Sequence, residues 1–328
     1  MAINLRSPYY QGTIVATTAY ATLDISIWDG SVTSPVTAQY NLRKSVIGSS
    51  PEVFFEISEL VRDYLDVTFD GNYNGQAVWV QIVSTAYDSS DTVLFTSTGT
   101  QLALDGYSYF EEPQAATPST LISNRELFVL EDNTFRIPIY EANNPTVIFY
   151  KDGKVIATQN PTGGSDSSVQ VKYVSIYGDD TNYDTFKERV TEANATYEDN
   201  SCIQSFLNSY SIGAVDKITV SDSNGIETIK VNVIEECKYE PKKITFINKF
   251  GVLQDMYFFK KAVEQMTIEK ESYKANTLSV YGQYSKSNHV NRDFNVIGKE
   301  SISLSSGFLS EEYNEVFKQM MLSEKVWV

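Results

Sequence analysis

The sequence predicts a mainly β protein, with two or three β-sandwich-like domains and a few short helices, including a C-terminal amphipathic helix. Three observations predict it. Short segments of alternating apolar and polar residues recur along the chain, punctuated by Gly, Asn and Asp. The 22 Tyr and 17 Phe, with frequent Ser and Thr, suit a pleated surface on which aromatic and β-branched side chains pack. Helical periodicity is confined to a few short stretches.

In "GTIVATTAYATLDISIWDG", Leu23, Ile25 and Ile27 fall on one strand face, and Asp24, Ser26 and Trp28 on the other. "QAVWVQIVSTAYD" and "TVLFTSTGTQLAL" read the same way. Before them, "FEISELVRDYL" places Ile57, Leu60, Val61, Tyr64 and Leu65 at helical spacing, with Ser58 as N-cap and Glu59 in the first turn. Residues 1–110 are expected to form one β domain with this helix. Pro113 and Pro118, among small residues, mark a linker at 111–120.

A middle β-sandwich-like domain is expected over 121–237. Asp152-Gly153, between "TVIFYK" and "KVIATQ", specifies a tight hairpin, because a type I′ turn needs positive φ at both central residues. "NPTGGSDSS" reads as a loop, "TNYDTFKERVTEANA" as a short helix capped by Asp184, and Asn224-Gly225 as a second hairpin turn. Residues 238–328 are expected to form a third β domain with a helix near 310–323. Its strands include "KKITFINKF", "DMYFFKK" and "VEQMTIEKE". In the last, Met266 and Ile268 share a face with Glu264 and Lys270, which predicts a half-solvated sheet packed on one side. Ser310 can cap the helix, Glu311 and Glu312 favour its positive end, and Tyr313, Val316, Phe317, Met320 and Met321 form one stripe. "KVWV" reads as a closing strand.

Composition excludes several functions. Of 328 residues, 42 are acidic and 26 basic, a net charge of −16 that repels a phosphate backbone, so sequence-specific nucleic-acid binding is not expected. Such acidity keeps a surface soluble, or lines a passage through which DNA slides. "MAINLRSPYYQG" has no basic segment followed by an apolar core, so no signal peptide is expected, and no apolar run is long enough to predict a membrane span. Cys202 and Cys237 make no disulfide framework; they either pair or stay as buried free thiols.

Candidate chemistry is sparse. The single histidine, His289, lies among polar residues, and no G-x-S-x-G elbow supplies a serine for a triad. One histidine and two distant cysteines do not make a zinc set. "DGNYNGQAVWVQ" places Asp70, Asn72 and Asn74 at calcium-loop positions, but Gln81 stands where a bidentate carboxylate is needed, so a Gly/Asn-rich hairpin loop is the better reading. Glu111-Glu112, Asp179-Asp180 and Glu235-Glu236 are adjacent acids of the kind that solvated surfaces carry, and Asn194 in "NAT" matches a glycosylation acceptor by chance. No catalytic residue, cofactor or metal site is expected. The aromatics of 242–271 are read as core first, with a remainder available to a neighbouring subunit.

Three segments carry a resemblance: "RSPYY…LDISIWDG…YNLRKSV…VFFEISELVRDYL", "TFINKFGVLQDMYFFKKAVEQMTIEKESYK" and "GFLSEEYNEVFKQMMLSEKVWV". In that order they resemble virion structural proteins of tailed bacteriophages of Bacteroidota, including crAss-like phages. The resemblance implies a non-enzymatic tail or head-to-tail component, built into a homo-oligomeric ring in the host cytoplasm and resident in the virion beside other tail or portal-proximal proteins. On that reading Phe246, Phe250, Tyr257, Phe258 and Trp327 are expected at subunit interfaces. The rival expectations are a receptor- or glycan-binding spike or adhesin module, for which aromatic and Asn/Asp-rich loops of a sandwich would serve, and a carboxylate-dependent hydrolase.

Overall fold

The computed structural model describes residues 2–30, 37–48, 51–73, 76–109, 117–130, 134–161, 171–177, 212–213, 215–234, 236, 238–276, 281–283, 287 and 289–328. Of the described residues 53% lie in strands and 7% in helices, so the protein is mainly β. The middle helix expected over "TNYDTFKERVTEANA", Asn194, and both cysteines lie outside the described residues, as do Glu111, Glu112, Pro113, Asp179, Asp180 and Glu235.

The N-terminal region holds β1 (Ile3–Asn4), β2 (Tyr10–Ile14), β3 (Tyr20–Trp28), β4 (Tyr40–Ser45), β5 (Glu52–Glu56), α1 (Ser58–Arg62), β6 (Val78–Tyr87) and β7 (Val93–Leu104). They build a five-stranded sheet, β1-β7-β6-β3-β4, and a two-stranded sheet, β2-β5. Alternation places the core: Ala21, Leu23, Ile25 and Ile27 of β3 are buried with Val78, Val80 and Ile82 of β6, over Val53 and Phe55 of β5 and Ile57 and Val61 at α1. The helix is shorter than its periodicity suggests. Its N-cap is Ile57, not Ser58, and no side chain caps it. The acceptor in that turn is Glu56 Oε1, which takes the Ser58 N–H at 2.9 Å.

The middle region holds β8 (Glu126–Leu130), β9 (Thr134–Tyr140), β10 (Thr146–Lys151), β11 (Lys154–Gln159), β12 (Val171–Tyr177), β13 (Ile212–Gly213), β14 (Lys217–Asp222) and β15 (Gly225–Ile234). They form the sheets β11-β10-β14-β15-β8 and β13-β12-β9. Asp152 and Gly153 take φ of 49° and 74°, as a type I′ hairpin requires. At the second hairpin Asp222 pairs with Gly225, so the turn is Ser223-Asn224 and Gly225 already opens β15. Asp222 Oδ1 accepts the N–H groups of Asn224 (2.7 Å) and Gly225 (3.0 Å), which fixes this loop without positive φ at Asn224.

Last come β16 (Lys242–Ile247), β17 (Leu253–Phe258), β18 (Val263–Lys274), β19 (Asn291–Ser303), α2 (Tyr313–Leu322) and β20 (Val326–Trp327). "KVWV" is indeed a strand, pairing antiparallel to β16 through Thr245↔Trp327 and Phe246↔Val326. In α2 the side chains of Tyr313, Val316 and Gln319 are buried, whereas Met321, expected in the stripe, is exposed. Glu312, not Ser310, occupies the N-cap, and no side chain caps this end. The helix turns toward the position where Gln319 can be satisfied: its amide donates to Ser123 Oγ (2.6 Å) and Glu315 Oε1 (2.9 Å), and its carbonyl accepts the Lys249 N–H.

The contacts divide the chain into two compact units. They give one unit of residues 1–235, 243–257 and 309–328, and a second of 236–242 and 258–308. The first holds together through a cluster drawn from all three sequence regions: Trp79, Leu102 and Leu104, Leu121, Tyr140, Val171 and Val252. Within it Asn248 Nδ2 donates to the Leu121 carbonyl (2.7 Å) and to Gln254 Oε1 (2.9 Å), and Gln254 Nε2 reaches Asn124 Oδ1 (3.3 Å). Buried polar atoms are tolerated when paired in this way, and such pairing fixes which segments meet. Among the described residues no helix is long and apolar enough to cross a membrane.

Candidate assembly surface

The aromatic run of 246–259 serves this chain's own interior. Phe246, Tyr257, Phe258 and Phe259 are buried, with Phe246 wholly inaccessible. Tyr257 lies 6.4 Å from the Phe135 ring. Phe250 is half-buried against the Trp79–Leu102–Val252 cluster, and Trp327 packs beside Val67, Ile247 and Leu253, with its ring 5.5 Å from Phe69. Phe246, Tyr257 and Phe258 therefore have almost no surface to give a partner, and the interface role expected for them has no accessible side chain to act through.

A run of exposed apolar side chains lies in the next hairpin. β18 and β19 run antiparallel from Val263↔Ser303 to Lys274↔Asn291, and every residue of both strands is exposed. Here the expectation of a sheet packed on one side is corrected. Alternation identifies a strand with two distinct faces, but it does not say whether anything covers either. One face carries Met266, Ile268 and Ile302; the other carries Val263, Ile297, Phe294 and Tyr273, the last two in edge-to-face contact at 5.7 Å. Lys270 pairs with Asp293 at 2.7 Å, whereas Glu264 and Glu300 form no ion pair among the described residues. Met266 and Ile302 floor a shallow depression of about 480 Å³ rimmed by those two carboxylates. Among the described residues no third strand joins this ribbon and nothing packs on its faces, and a two-stranded ribbon by itself is marginal in water. Apolar side chains are exposed on both its faces, which makes it a candidate surface for association.

Among the described residues the most buried carboxyl is elsewhere. Asp255, on β17, accepts hydrogen bonds from Tyr73 Oη and, at 2.8 Å, from Thr245 Oγ1. Lys243 Nζ donates to the same Tyr73 oxygen at 2.9 Å, and the Arg136 guanidinium lies 4.1 Å above the Tyr73 ring. Burial pushes the Asp255 carboxyl above the usual carboxylate range, against the opposing pull of Lys243 and the two hydroxyl donors. Its Oδ2 has no hydrogen-bond partner among the described residues. With acceptor, donors and cations closed around each other in the interior, the cluster locks Tyr73 and its loop onto β16 and β17.

The remaining sequence candidates are scattered. His289 is exposed. Asp70 folds back on itself, accepting the Asn72 N–H at 3.0 Å, which holds its carboxyl below the usual range. Gln81 belongs to β6, so the two ends of the would-be calcium loop serve different elements. Glu236 is paired with Lys260 at 2.9 Å. Among the described residues no group of three or more His, Cys, Asp or Glu side chains is placed to hold a metal ion.

No family model and no curated protein matches the chain. The exposed β18–β19 ribbon is thus the feature from which a role has to be read. The sequence did not disclose it as a surface, although "VEQMTIEKE" already mixes apolar and charged residues on one face.

Proposed function

We propose that the chain is a non-enzymatic structural subunit of a tailed-phage virion, a tail-barrel, ring or baseplate component that acts by self-association and by packing on neighbouring virion proteins. The observation that carries this reading is the β18–β19 ribbon, 12 and 13 residues long, with apolar side chains exposed on both faces. The resemblance of the N-terminal, central and C-terminal segments to phage virion proteins supplies the setting. A net charge of −16 suits a particle surface or a lumen that releases DNA rather than holding it. On this reading the partners are further copies of the chain and tail or portal-proximal proteins, and the site of action is the virion.

Sedimentation velocity of the purified chain, alone and with neighbouring virion proteins, tests it. A large closed oligomer that includes this chain is the expected result. A chain that stays monomeric in every mixture, and is missing from the mass spectrum of the purified particle, overturns the proposal.

A further inference from the structure

We propose that two copies of the chain join through the outer edge of β18, strand against strand about a twofold axis at Thr267, making one four-stranded antiparallel sheet. The inference deepens the self-association reading and rests on it in taking the partner to be a second copy.

The two edges of the ribbon are not equivalent. The register shift falls between Glu269↔Ile297 and Glu271↔Phe294, so the extra residue sits in β19, where Asn295 takes φ of 49°. A bulge of this kind spoils an edge for further pairing. β18 has no such interruption, no proline and no glycine across its length.

The sequence of β18 is complementary to itself when reversed. In an antiparallel pair centred on Thr267, each residue on one side of the centre faces its mirror position on the other copy. Met266 then lies opposite Ile268 of the second copy, and Glu264 opposite its Lys270, each contact occurring twice. Directly opposed apolar pairs and opposite charges are the units that stabilise a sheet. On the other face Thr267 meets Thr267, and Gln265 meets Glu269. The axis thus carries two Met266–Ile268 pairs, bracketed by two Glu264–Lys270 pairs, with Ile302 beyond on each side. Glu264, which forms no ion pair among the described residues, thereby gains a cation that Lys270 shares with Asp293, and an isologous contact of this form joins copies in pairs, so a larger ring uses a second, different contact beside it.

Charge reversal tests the register. Glu264→Lys and Lys270→Glu should each weaken self-association about tenfold, because each puts two repulsions where there were two attractions. Mixed together, the two single variants should associate with one another at the parental strength, since the mixed dimer restores both pairs. The double variant should recover as well. Independently, in a chain with Cys202→Ser and Cys237→Ser, Thr267→Cys should cross-link to itself under mild oxidation. Glu271→Cys should not, being roughly 27 Å from its counterpart at about 3.4 Å per residue. Self-association without the Thr267→Cys cross-link, or without rescue on mixing, overturns the pairing and leaves self-association standing. A chain that is monomeric at every concentration overturns both.

Discussion

Gly251 takes φ of +78°, and a Cβ there would lie 2.4 Å from the Gly106 nitrogen and 2.5 Å from the Asp105 carbonyl carbon. Facing it, a Cβ on Gly106 would meet the Lys249 carbonyl oxygen at 2.9 Å, and the Tyr107 N–H donates to that same oxygen at 2.8 Å. The two backbones touch because neither residue has a side chain. Gly251→Ala should therefore cost about 3 kcal/mol, from left-handed strain plus forced displacement of backbone. Gly298, in β19, has open space around its missing Cβ, and Gly298→Ala should shift stability by less than about 0.5 kcal/mol. Urea denaturation of both variants checks the contrast; equal losses would remove the role given to the Gly251–Gly106 contact. Asp255 offers a pH test. A carboxyl raised on folding gives stability that is complete below the ordinary aspartate range and is lost as pH rises through the raised value. Asp255→Asn should remove that loss, so its melting temperature relative to the parent should climb as pH rises above the ordinary aspartate range. A difference that is flat with pH would show that the carboxyl is not raised.

Among the elements, the β18–β19 ribbon and the β16–β17 pair show what the sequence disclosed and what it withheld. Strands, the Asp152-Gly153 hairpin and the closing "KVWV" strand were legible because period-two alternation and turn chemistry are local properties. Which strand faces are covered is not local. "LQDMYF" carries Gln254 and Asp255, yet every residue of β17 is buried, because Asn124, Asn248, Tyr73 and Thr245 arrive from distant positions to satisfy the polar atoms. "VEQMTIEKE" has a similar mixture and no residue of it is buried. Gln319 replaced Met321 on the buried side of α2 for the same reason. Since β18 and β19 contribute no buried side chain, Met266→Asp with Ile268→Asp should leave the melting temperature of the monomer within about 2 °C. The same pair should abolish assembly in light scattering. A collapse of monomer stability would show instead that these side chains pack within the chain.

At the scale of the whole molecule, the unit of residues 1–235, 243–257 and 309–328 is assembled from both ends of the sequence. Arg62 reaches Glu324 at 2.6 Å and Arg6 reaches the same carboxylate at 3.4 Å, while the Lys325 ammonium takes the Val67 carbonyl at 2.8 Å. The Arg62 contact holds the Glu324 carboxyl below its usual range. With Trp79, Leu104, Tyr140, Val171 and Val252 in one cluster, this unit should unfold in a single calorimetric transition. Separate transitions for the N-terminal and middle regions would contradict a shared core. The closure has a consequence for biosynthesis. The ribosome must translate past residue 309 before α2 and β20 exist to seal β16, so until then the N–H groups of Ile247 and Lys249 lack Ser323 and Gln319, and Arg6 lacks Leu322 and Glu324. A nascent chain stalled inside the β18–β19 segment should consequently be a substrate for chaperones and proteases.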